Sequence, residues 1–292
     1  MTITQTIAHA ILLGLDRLDS QLLLLHVMGK APSERGWLLA HDGDVVPAAV
    51  AMAFEHAVAQ RKSGVPMAYI TGHAAFYGLD LQVDERVLIP RPDTETLVDW
   101  ALEIIGSAGA QLDETGAPWT RGQLIDLGTG SGAVALALKQ ALQTSHPELA
   151  VSATDISASA LAVARANARR LQLEVNFIQA SWFDAVPGRQ LGRFHWIVAN
   201  PPYIALGDAH MPALQHEPAS ALTSGADGLD AIRQIVRHAP AHLQPGGWLL
   251  LEHGYDQAAR VRALLTQAGF RAVRSRRDLG GNERCSSGCW PA

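Results

Sequence analysis

The stretch "VANPPYIAL" (residues 198–206) places four chemically useful residues at the end of an apolar run. Pro201 and Pro202 cannot donate a backbone hydrogen bond, and each fixes its own φ and pushes the preceding residue into an extended conformation. The loop is therefore stiff, and the side chain of Asn200 and the carbonyl of Pro201 are two fixed acceptors. Two such acceptors can hold both hydrogens of a planar –NH2 group, on which the ring of Tyr203 can stack.

A nitrogen held in this way would belong to an amide or to an exocyclic amino group. Its lone pair is delocalised, so it is a poor nucleophile, and the stretch contains no strong base. Orientation must therefore supply most of the acceleration, and well-aligned reactants gain roughly 7–11 kcal/mol. An isolated Asn-Pro mostly marks a turn after a strand. The secondary-structure elements and motifs around "NPPY" indicate whether it is such a turn or a substrate-binding site.

A second motif, "DLGTGSG" (residues 126–132), lies between a predicted strand, "QLIDL", and a predicted helix, "AVALALKQAL". Its three glycines let the backbone approach a ligand closely, and the helix N-terminus offers free N–H groups. Such a turn suits any adenosine-containing cofactor, and with Ala133 it also fits the looser dinucleotide fingerprint. Asp155 ends the next predicted strand, where a carboxylate can accept hydrogen bonds from both ribose hydroxyls.

The acid at the start of the glycine motif indicates which type of adenosine-containing cofactor the turn would bind. A carboxylate at Asp126 is compatible with a cofactor that carries a sulfonium and an amino-acid group, and it is unfavourable beside a pyrophosphate. This favours S-adenosyl-L-methionine. The ring face of Tyr203 would then also attract the sulfonium.

The first third of the chain predicts a helical domain and a connector. Residues 1–72 have helix-length apolar faces, as in "LDSQLLLLHVMG" and "AAVAMAFEHAVAQRKSG". Residues 73–92 follow, in which apolar residues alternate over 79–83 and form a short run at Val87–Ile89. This pattern predicts a β-hairpin that joins two domains.

Residues 93–292 predict the domain that carries both motifs. A helix with Thr94 as a possible N-cap comes first, and a polar loop over residues 107–122 follows. Strands and helices then alternate, which predicts an α/β fold with a mostly parallel sheet and helices on both faces. "NPPY" falls at the carboxyl end of the fourth strand, where open α/β sheets bind ligands.

Composition narrows the class of protein. The 292 residues are 48% hydrophobic and 17% charged, as in globular chains, and the net charge of −5 argues against a broad nucleic-acid-binding face. No apolar run approaches 18 residues and the N-terminus lacks a basic signal-peptide start, so we expect a cytoplasmic protein with no membrane partner. Cys285 and Cys289 have no second Cys/His pair at zinc-site spacing, so free thiols and no metal are expected.

With these motifs in place, the chain resembles the release-factor glutamine N5-methyltransferases, a family of class I S-adenosylmethionine-dependent methyltransferases. The resemblance extends over nearly the whole length, through "LDSQLLLLHVMG", "TGHAAFYGLDLQVDERVLIPRPDTE", "DLGTGSG", "NPPY", "LLLEHG" and "DLGGNER". "IPRPDTE" is specific, because related methyltransferases that act on a ribosomal-protein glutamine differ in the connector. The resemblance implies methyl transfer from S-adenosyl-L-methionine, with S-adenosyl-L-homocysteine as product, to the glutamine amide of the Gly-Gly-Gln motif in class I peptide chain release factors.

The resemblance also implies roles for individual residues. Trp182 in "SWFD" would lie against adenine, Phe76, Arg91 and "PDTE" would help roof the site, and the helical region would help recognise the release factor. The implied substrate-binding residues are Asn200, Pro201, Pro202 and Tyr203, of which Asn200, Pro201 and Tyr203 would be catalytic. The implied cofactor-binding residues are Asp126, Gly128, Thr129, Gly130, Ser131, Gly132, Asp155, Trp182 and Asn200.

Two departures and several alternatives accompany this interpretation. Ser181 stands where the family often has an acid, so a hydroxyl would replace a carboxylate beside adenine, and the tail "CSSGCWPA" differs from the usual ending. Methylation of a nucleic-acid base or of a ribosomal-protein glutamine would also suit "NPPY". The negative net charge and the lack of an obvious target-recognition domain weigh against the base. A non-catalytic scaffold is a third class, and the intact "NPPY" weighs against it.

Overall fold

The computed structural model describes residues 1–108, 119–185, 191–209 and 211–291. The chain divides into two compact units, Met1–His73 and Ala74–Ala292. Most of the loop predicted at 107–122 lies outside the described residues, which resume at a short 3₁₀ turn, Trp119–Arg121.

The first unit is helical. Its helices are α1 (Ile3–Leu12), α2 (Arg17–Val27), α3 (Arg35–Ala40), α4 (Ala48–Lys62) and α5 (Met67–Thr71). Thr2 and Gln5 form a capping box at the start of α1, in which each side chain accepts a hydrogen bond from the other residue's backbone N–H. Residues 23–25 of α2 are fully buried and belong to one hydrophobic cluster with Phe54 and Val58 of α4. The predicted helical region is confirmed.

The connector contains a hairpin, but its strands differ from the predicted ones. The hairpin pairs β1 (His73–Phe76) with β2 (Leu79–Gln82), whereas Val87–Ile89 is not a strand. Tyr77 (φ 48°) and Gly78 (φ 74°) both adopt positive φ, which a two-residue type I′ turn requires. This turn sets the pairing, so the prediction of a strand at Val87–Ile89 is wrong.

The second unit alternates strands and helices. Its helices are α6 (Glu95–Ser107), α7 (Ala133–Leu142), α8 (Ala158–Leu171), α9 (Asp230–His242) and α10 (Ala258–Gln267). Its further strands are β3 (Gln123–Leu127), β4 (Ala150–Asp155), β5 (Asn176–Ser181), β6 (Asp184–Ala185), β7 (Phe194–Ala199), β8 (Leu243–Glu252), β9 (Arg271–Arg277) and β10 (Glu283–Cys289). In the part of the chain that the structure describes, no helix combines the length and apolarity needed to cross a membrane.

One mixed sheet organises this unit. Within the described ranges its strand order is β6-β5-β4-β3-β7-β8-β10-β9. The central strands β5, β4, β3, β7 and β8 are parallel, whereas β10 is antiparallel to both β8 and β9. Leu124 belongs to a buried cluster with α6 and α7, and its neighbour Ile125 belongs to a cluster with α9 and α10. Successive strand residues point to opposite faces, so helices cover both faces, and the predicted α/β fold is confirmed.

The parallel strands bring the two sequence motifs to one edge of the sheet. β3 ends at Leu127, which pairs with Thr154 of β4 and with Ala199 of β7. The residues that come directly after Leu127, Thr154 and Ala199 therefore emerge side by side. They are the glycine turn, Asp155 and Asn200, and this is the edge at which open α/β sheets bind ligands.

Candidate active site

A cleft of about 510 Å³ opens at the carboxyl edge of the sheet. Its walls come from the glycine turn, the ends of β4 and β5, the connector and the loop after β7. Of the predicted site residues, the ones that line it are Gly128, Gly130, Asp155, Trp182, Asn200 and Pro202. Ser181 also lines it.

The glycine turn owes its shape to positive backbone angles. Gly128 (φ 74°), Gly130 (φ 55°) and Gly132 (φ 87°) lie in the left-handed region that favours glycine. The backbone N–H groups of Gly128 and Thr129 donate to the Thr154 carbonyl at 2.9 and 2.8 Å. A Cβ on Gly130 would meet no atom within 4 Å, whereas one on Gly132 would lie 3.3 Å from a side chain of α8. Gly130 therefore leaves room for a ligand, and Gly132 lets two helices pack closely.

Some predicted cofactor residues support the turn and do not line the cleft. Asp126 is buried, and its Oδ2 accepts a hydrogen bond from Thr129 Oγ1 at 2.6 Å. Burial raises the pKa of Asp126 to about 7, although the bond from Thr129 opposes the rise. The carbonyl of Ser131 accepts a hydrogen bond from Asn167 Nδ2 at 3.0 Å. Direct contact of Asp126, Thr129, Ser131 or Gly132 with a cofactor stays a prediction.

Asp155 presents an oriented carboxylate to the cleft. Its Oδ2 accepts a hydrogen bond from the backbone N–H of Gly130 at 2.9 Å, and its Oδ1 accepts one from Ser157 N at 2.8 Å. Burial raises the pKa of Asp155, and these backbone hydrogen bonds act in the opposite direction. Each carboxylate oxygen can accept more than one hydrogen bond, so both retain capacity for hydroxyl donors of a ligand.

Trp182 places an aromatic face beside the glycine turn. Its φ of 54° is a conformation that a bulky side chain rarely adopts. A Cβ on Gly128 would lie only 3.2 Å from its ring, so the ring sits directly against the turn. Its Nε1 donates to Gln234 Oε1 of α9 at 3.0 Å. The strained backbone and this hydrogen bond hold a flat ring at the cleft wall, and such strain is often found at functional sites.

A second cavity of about 120 Å³ adjoins the cleft. It shares Leu88, Asn200 and Ala221 with the larger space, and Arg91 and Tyr203 also line it. Asn200 therefore stands where the two spaces meet. Its neighbour Pro201 is buried and lines neither cavity, so its carbonyl as a second acceptor stays a prediction.

Thr94 is the N-cap residue of α6, but its side chain contacts Asn200 and not the helix backbone. Its backbone is already helical (φ −66°, ψ −19°) because the 3₁₀ turn Pro92–Thr94 continues into the helix, and its side chain makes no capping hydrogen bond. Thr94 therefore occupies the predicted N-cap position without capping the helix through its side chain. The Thr94 hydroxyl instead accepts a hydrogen bond from Asn200 Nδ2 at 3.1 Å. With the nitrogen held there, the oxygen of Asn200 is the end left for a ligand.

Tyr203 reaches a buried carboxyl that sequence reasoning missed. Its hydroxyl donates to Oε1 of Glu252 at 3.4 Å, and Glu252 is fully buried at the end of β8. Burial raises the pKa of Glu252 to about 7, and the nearby Thr94 hydroxyl and Arg284 guanidinium lower it. Burial and the charge of Glu252 raise the pKa of Tyr203, so Tyr203 is a neutral phenol.

The connector is tied to the loop after β7 by Glu217. This buried carboxylate forms an ion pair with Arg91 and accepts a hydrogen bond from the backbone N–H of Ile89 at 3.2 Å. Its neighbour Pro218 lines the larger cleft. Arg91 lines the smaller cavity, and its role in roofing the site stays a prediction. Phe76 lies in the hydrophobic core with α6 and lines neither cavity.

Other reactive side chains lie outside the two cavities. Cys285 and Cys289 are free, as predicted, and burial raises the pKa of both thiols. His253 is buried, with Nδ1 2.9 Å from the Gly254 carbonyl and Nε2 2.8 Å from Ser286 Oγ, which fits a structural role. Among the described residues, no group of three or more His, Cys, Asp or Glu side chains is arranged to hold a metal ion.

Comparison with known proteins decides the family. The family models for the "PrmC N-terminal domain" and the "Methyltransferase small domain" match residues 7–72 and 108–262. The release factor glutamine methyltransferase of Bordetella pertussis is 46% identical over 277 residues, which cover 94% of this chain and 95% of the relative. That of Pseudomonas aeruginosa is 47% identical over 277 residues, which cover 94% and 92%. The chain belongs to the release factor glutamine methyltransferase family.

Family membership confirms the resemblance drawn from the motifs and confirms that the chain is a methyltransferase. Solved methyltransferases share the fold. The T. thermophilus 16S rRNA N2 G1207 methyltransferase, solved with AdoMet and guanosine, matches with a TM-score of 0.51 and 18% identity over 75% of this chain and 49% of that chain. At this identity the likeness concerns the fold alone.

Proposed function

We propose that the chain transfers a methyl group from S-adenosyl-L-methionine to the side-chain amide nitrogen (N5) of the glutamine in the Gly-Gly-Gln motif of class I peptide chain release factors. The nitrogen–methyl bond forms as the sulfur–methyl bond of the sulfonium breaks, S-adenosyl-L-homocysteine leaves as the second product, and the amide nitrogen releases one proton. The observation that carries the proposal is the position of Asn200, between a large cleft and a small cavity in a chain of this family. Direct transfer needs such a junction, because donor and acceptor must meet in one orientation.

The larger cleft suits the cofactor through its shape and its donor and acceptor groups. Asp155 would accept hydrogen bonds from the ribose hydroxyls, and the flat ring of Trp182 would lie against adenine. The open backbone at Gly130 admits a ligand at close range. Asp126, together with Thr129, would either bind the amino-acid end of the cofactor directly or hold the glycine turn in the shape that binds it. When bound, the cofactor supplies an electrophilic methyl group on a sulfonium.

The smaller cavity suits a glutamine side chain. Apolar walls at Leu88, Ile204 and Leu222 fit its methylene groups. Asn200 Oδ1 and the Pro201 carbonyl would accept the two amide hydrogens, in the loop that Pro202 keeps stiff. The amide nitrogen would then face the larger cleft.

Orientation is the main source of acceleration in this site. An amide nitrogen is a weak nucleophile, and fixed alignment of two reactants contributes roughly 7–11 kcal/mol. Acceptance of the amide hydrogens by Asn200 would strengthen as positive charge develops on the nitrogen. The neutral ring of Tyr203 would stack on the amide and face the sulfonium with its negative face.

The two units would divide the work. Residues 1–72 would help recognise the release factor, residues 73–92 would connect the domains, and residues 93–292 would bind the cofactor and carry out transfer. The net charge of −5 supports a protein substrate over a stable nucleic-acid partner. Release factors act in the cytoplasm, and we place the enzyme there as well.

The test offers competing substrates in parallel. The full-length chain and methyl-labelled S-adenosyl-L-methionine are incubated with a class I release factor, with ribosomal protein, or with bulk RNA and DNA. We expect label in the release factor alone, and a release factor whose Gly-Gly-Gln glutamine is replaced by alanine should remain unlabelled. Label confined to nucleic acid or to ribosomal protein would overturn the proposal in favour of that substrate.

A further inference from the structure

The orientation of the Asn200 amide depends on Thr94. The two ends of an asparagine amide have nearly the same shape, and they differ in that one accepts and the other donates hydrogen bonds. Thr94 is buried, makes no capping hydrogen bond, and accepts the N–H of Asn200 at 3.1 Å. A hydroxyl can also donate, but the Thr94 proton is directed at the Glu252 carboxyl, whose pKa this hydroxyl lowers. Thr94 therefore accepts from the Asn200 nitrogen, and the Asn200 oxygen is left for the cavities that Asn200 lines.

Glu252 lies next to the hydroxyl groups of both Thr94 and Tyr203. Ala199 pairs with Leu251 in the parallel register of β7 and β8. Asn200, directly after β7, and Glu252, the last residue of β8, therefore follow one residue pair. Oε1 of Glu252 accepts a hydrogen bond from the Tyr203 hydroxyl at 3.4 Å. The Thr94 hydroxyl is close enough to lower the pKa of the carboxyl, although Oε2 has no well-formed hydrogen-bond partner among the described residues.

A fully buried carboxyl with one unpartnered oxygen is costly for a fold. A Gln or an apolar residue would fill the same place at lower cost, since buried ionisable groups are a weak source of stability. The position of Glu252 therefore points to a role in the site, where its charge orders two hydroxyl groups.

We propose that Thr94 and Glu252 are positioning residues for methyl transfer. Thr94 fixes Asn200 with its oxygen toward the substrate amide, and Glu252 orients the hydroxyls of Thr94 and Tyr203. The inference rests on the proposed function and deepens it, because it identifies what makes the pocket select a –NH2 group. An inverted Asn200 would direct its own N–H donors at the donors of the substrate.

The charged and titratable neighbours of Glu252 come from three parts of the chain. Burial raises its pKa, Thr94 and Arg284 lower it, Asp93 raises it and Tyr203 lowers it, and the resulting value is about 7. Cys285 pairs with Glu252 across β10 and β8, and burial keeps that thiol protonated by raising its pKa. Glu252 therefore changes its charge near neutrality, where activity is measured.

The first experiment removes only the Thr94 hydroxyl from the full-length enzyme. Thr94→Val keeps the side-chain shape, Thr94→Ser restores the hydroxyl, and Thr96→Val makes the same change two residues further along α6. We expect Thr94→Val to lower kcat on the release factor roughly 10- to 100-fold through misorientation, with the Kd for S-adenosyl-L-methionine unchanged. Thr94→Ser and Thr96→Val should stay close to the wild-type kcat.

The second experiment measures kcat against pH. The cofactor is kept saturating, so that a pH-dependent change of cofactor affinity through Asp126 does not alter the measured rate. In the wild type, kcat should rise as Glu252 ionises near neutrality. Glu252→Gln should have a lower kcat without this rise, whereas Thr94→Val should be slower throughout and retain it. A purely structural role of Glu252 would change the unfolding temperature and leave the shape of the pH profile as in the wild type.

The outcomes separate this inference from the proposed function. If the wild type methylates the release factor and Thr94→Val keeps its kcat, or Glu252→Gln keeps the wild-type pH profile, the positioning roles are wrong and the function stands. If the wild type transfers no methyl group to the release factor, the proposed function fails and the inference fails with it. If Thr94→Val does not fold, Thr94→Ala decides the point in the same assay.

Discussion

The backbone N–H of Gly130 donates to Oδ2 of Asp155 at 2.9 Å, so the glycine turn and the proposed ribose acceptor form one structural unit. The second oxygen of Asp155 is held by Ser157 N at 2.8 Å. The carboxylate is therefore oriented before a ligand binds, which reduces the ordering cost of binding.

Replacement of Asp155 should act on cofactor binding. Asp155→Ala removes both proposed ribose contacts and the support of the turn, and hydrogen bonds to charged groups contribute roughly 1.5–3 kcal/mol, so we expect at least a ~10-fold higher Kd for S-adenosyl-L-methionine. Isothermal titration calorimetry measures this directly. Glu174→Ala is the control, because it removes an exposed acid that lies just before the start of β5, away from the cleft at the end of that strand. An unchanged Kd in Asp155→Ala would count against the ribose assignment.

Alanine substitutions at Gly128 and Gly130 should distinguish the effect of backbone strain from the effect of contact with the Trp182 ring. Gly128→Ala places a Cβ 3.2 Å from the Trp182 ring at φ 74°, whereas Gly130→Ala places one in open space at φ 55°. The left-handed conformation costs both variants about 1–2 kcal/mol in the free energy of unfolding. Only Gly128→Ala should also displace Trp182, so its tryptophan fluorescence in the absence of ligand should differ from that of the wild type. Identical spectra for the two variants would show that the ring does not depend on Gly128.

The anchor at Glu217 should affect the substrate more than the cofactor. Glu217→Gln keeps an acceptor for Ile89 N but removes the charge that pairs with Arg91, which lines the smaller cavity. We expect a KM for the release factor raised on the order of 10-fold, the scale of one charged hydrogen bond, with the cofactor Kd unchanged. Glu148→Gln breaks an exposed ion pair with Arg121 and should have little effect. A larger change in the cofactor Kd than in the KM for the release factor would mean that Glu217 supports the cofactor cleft and not the smaller cavity.

The buried carboxyl at Glu252 predicts a pH dependence of stability. Burial raises its folded-state pKa from 4.5 to about 7, so the folded chain keeps a proton that the unfolded chain loses in this range. Its contribution to stability is complete below about pH 4.5 and is lost as the pH rises through about 7. Asp126 acts in the same direction and the buried His253, with its lowered pKa, in the opposite one.

The comparison of wild type with Glu252→Gln isolates this contribution. Urea unfolding at several pH values should show the variant gaining stability relative to the wild type between about pH 5 and 8. Glu148→Gln provides the exposed control. A stability difference that does not change with pH would mean that Glu252 titrates at its ordinary value.

The sequence predicted the sheet edge and its two motifs because the signals are local. "QLIDL" followed by "GTGSG" marks a strand, a glycine turn and a helix, and "HWIVAN" before "PPY" marks another strand end. Parallel strands then bring Gly130, Asp155 and Asn200 together without further information. The hairpin strands differ from the predicted ones because Tyr77–Gly78 forms a type I′ turn, for which glycine at the second position is a sequence signal.

The supporting residues of the site could not be derived in this way, because their partners are distant in sequence. Thr94 has an N-cap signature, and only the tertiary structure shows that it contacts Asn200, 106 residues away. Glu252 follows three buried leucines, and Glu217 carries no motif at all. "PDTE" and "LLLEHG" contain Thr94 and Glu252, but a short pattern does not show which residues they contact, because strand register and loop packing determine that.

Mass spectrometry of a co-incubated release factor tests the central claim most directly. With the full-length chain and S-adenosyl-L-methionine, fragmentation of the Gly-Gly-Gln peptide should show one added methyl group on the glutamine side chain. Asn200→Ala should form this product at least ~100-fold more slowly, the scale of losing one oriented polar group, with its cofactor Kd retained. An unmodified Gly-Gly-Gln peptide with the wild type, or normal methylation by Asn200→Ala, would contradict the account.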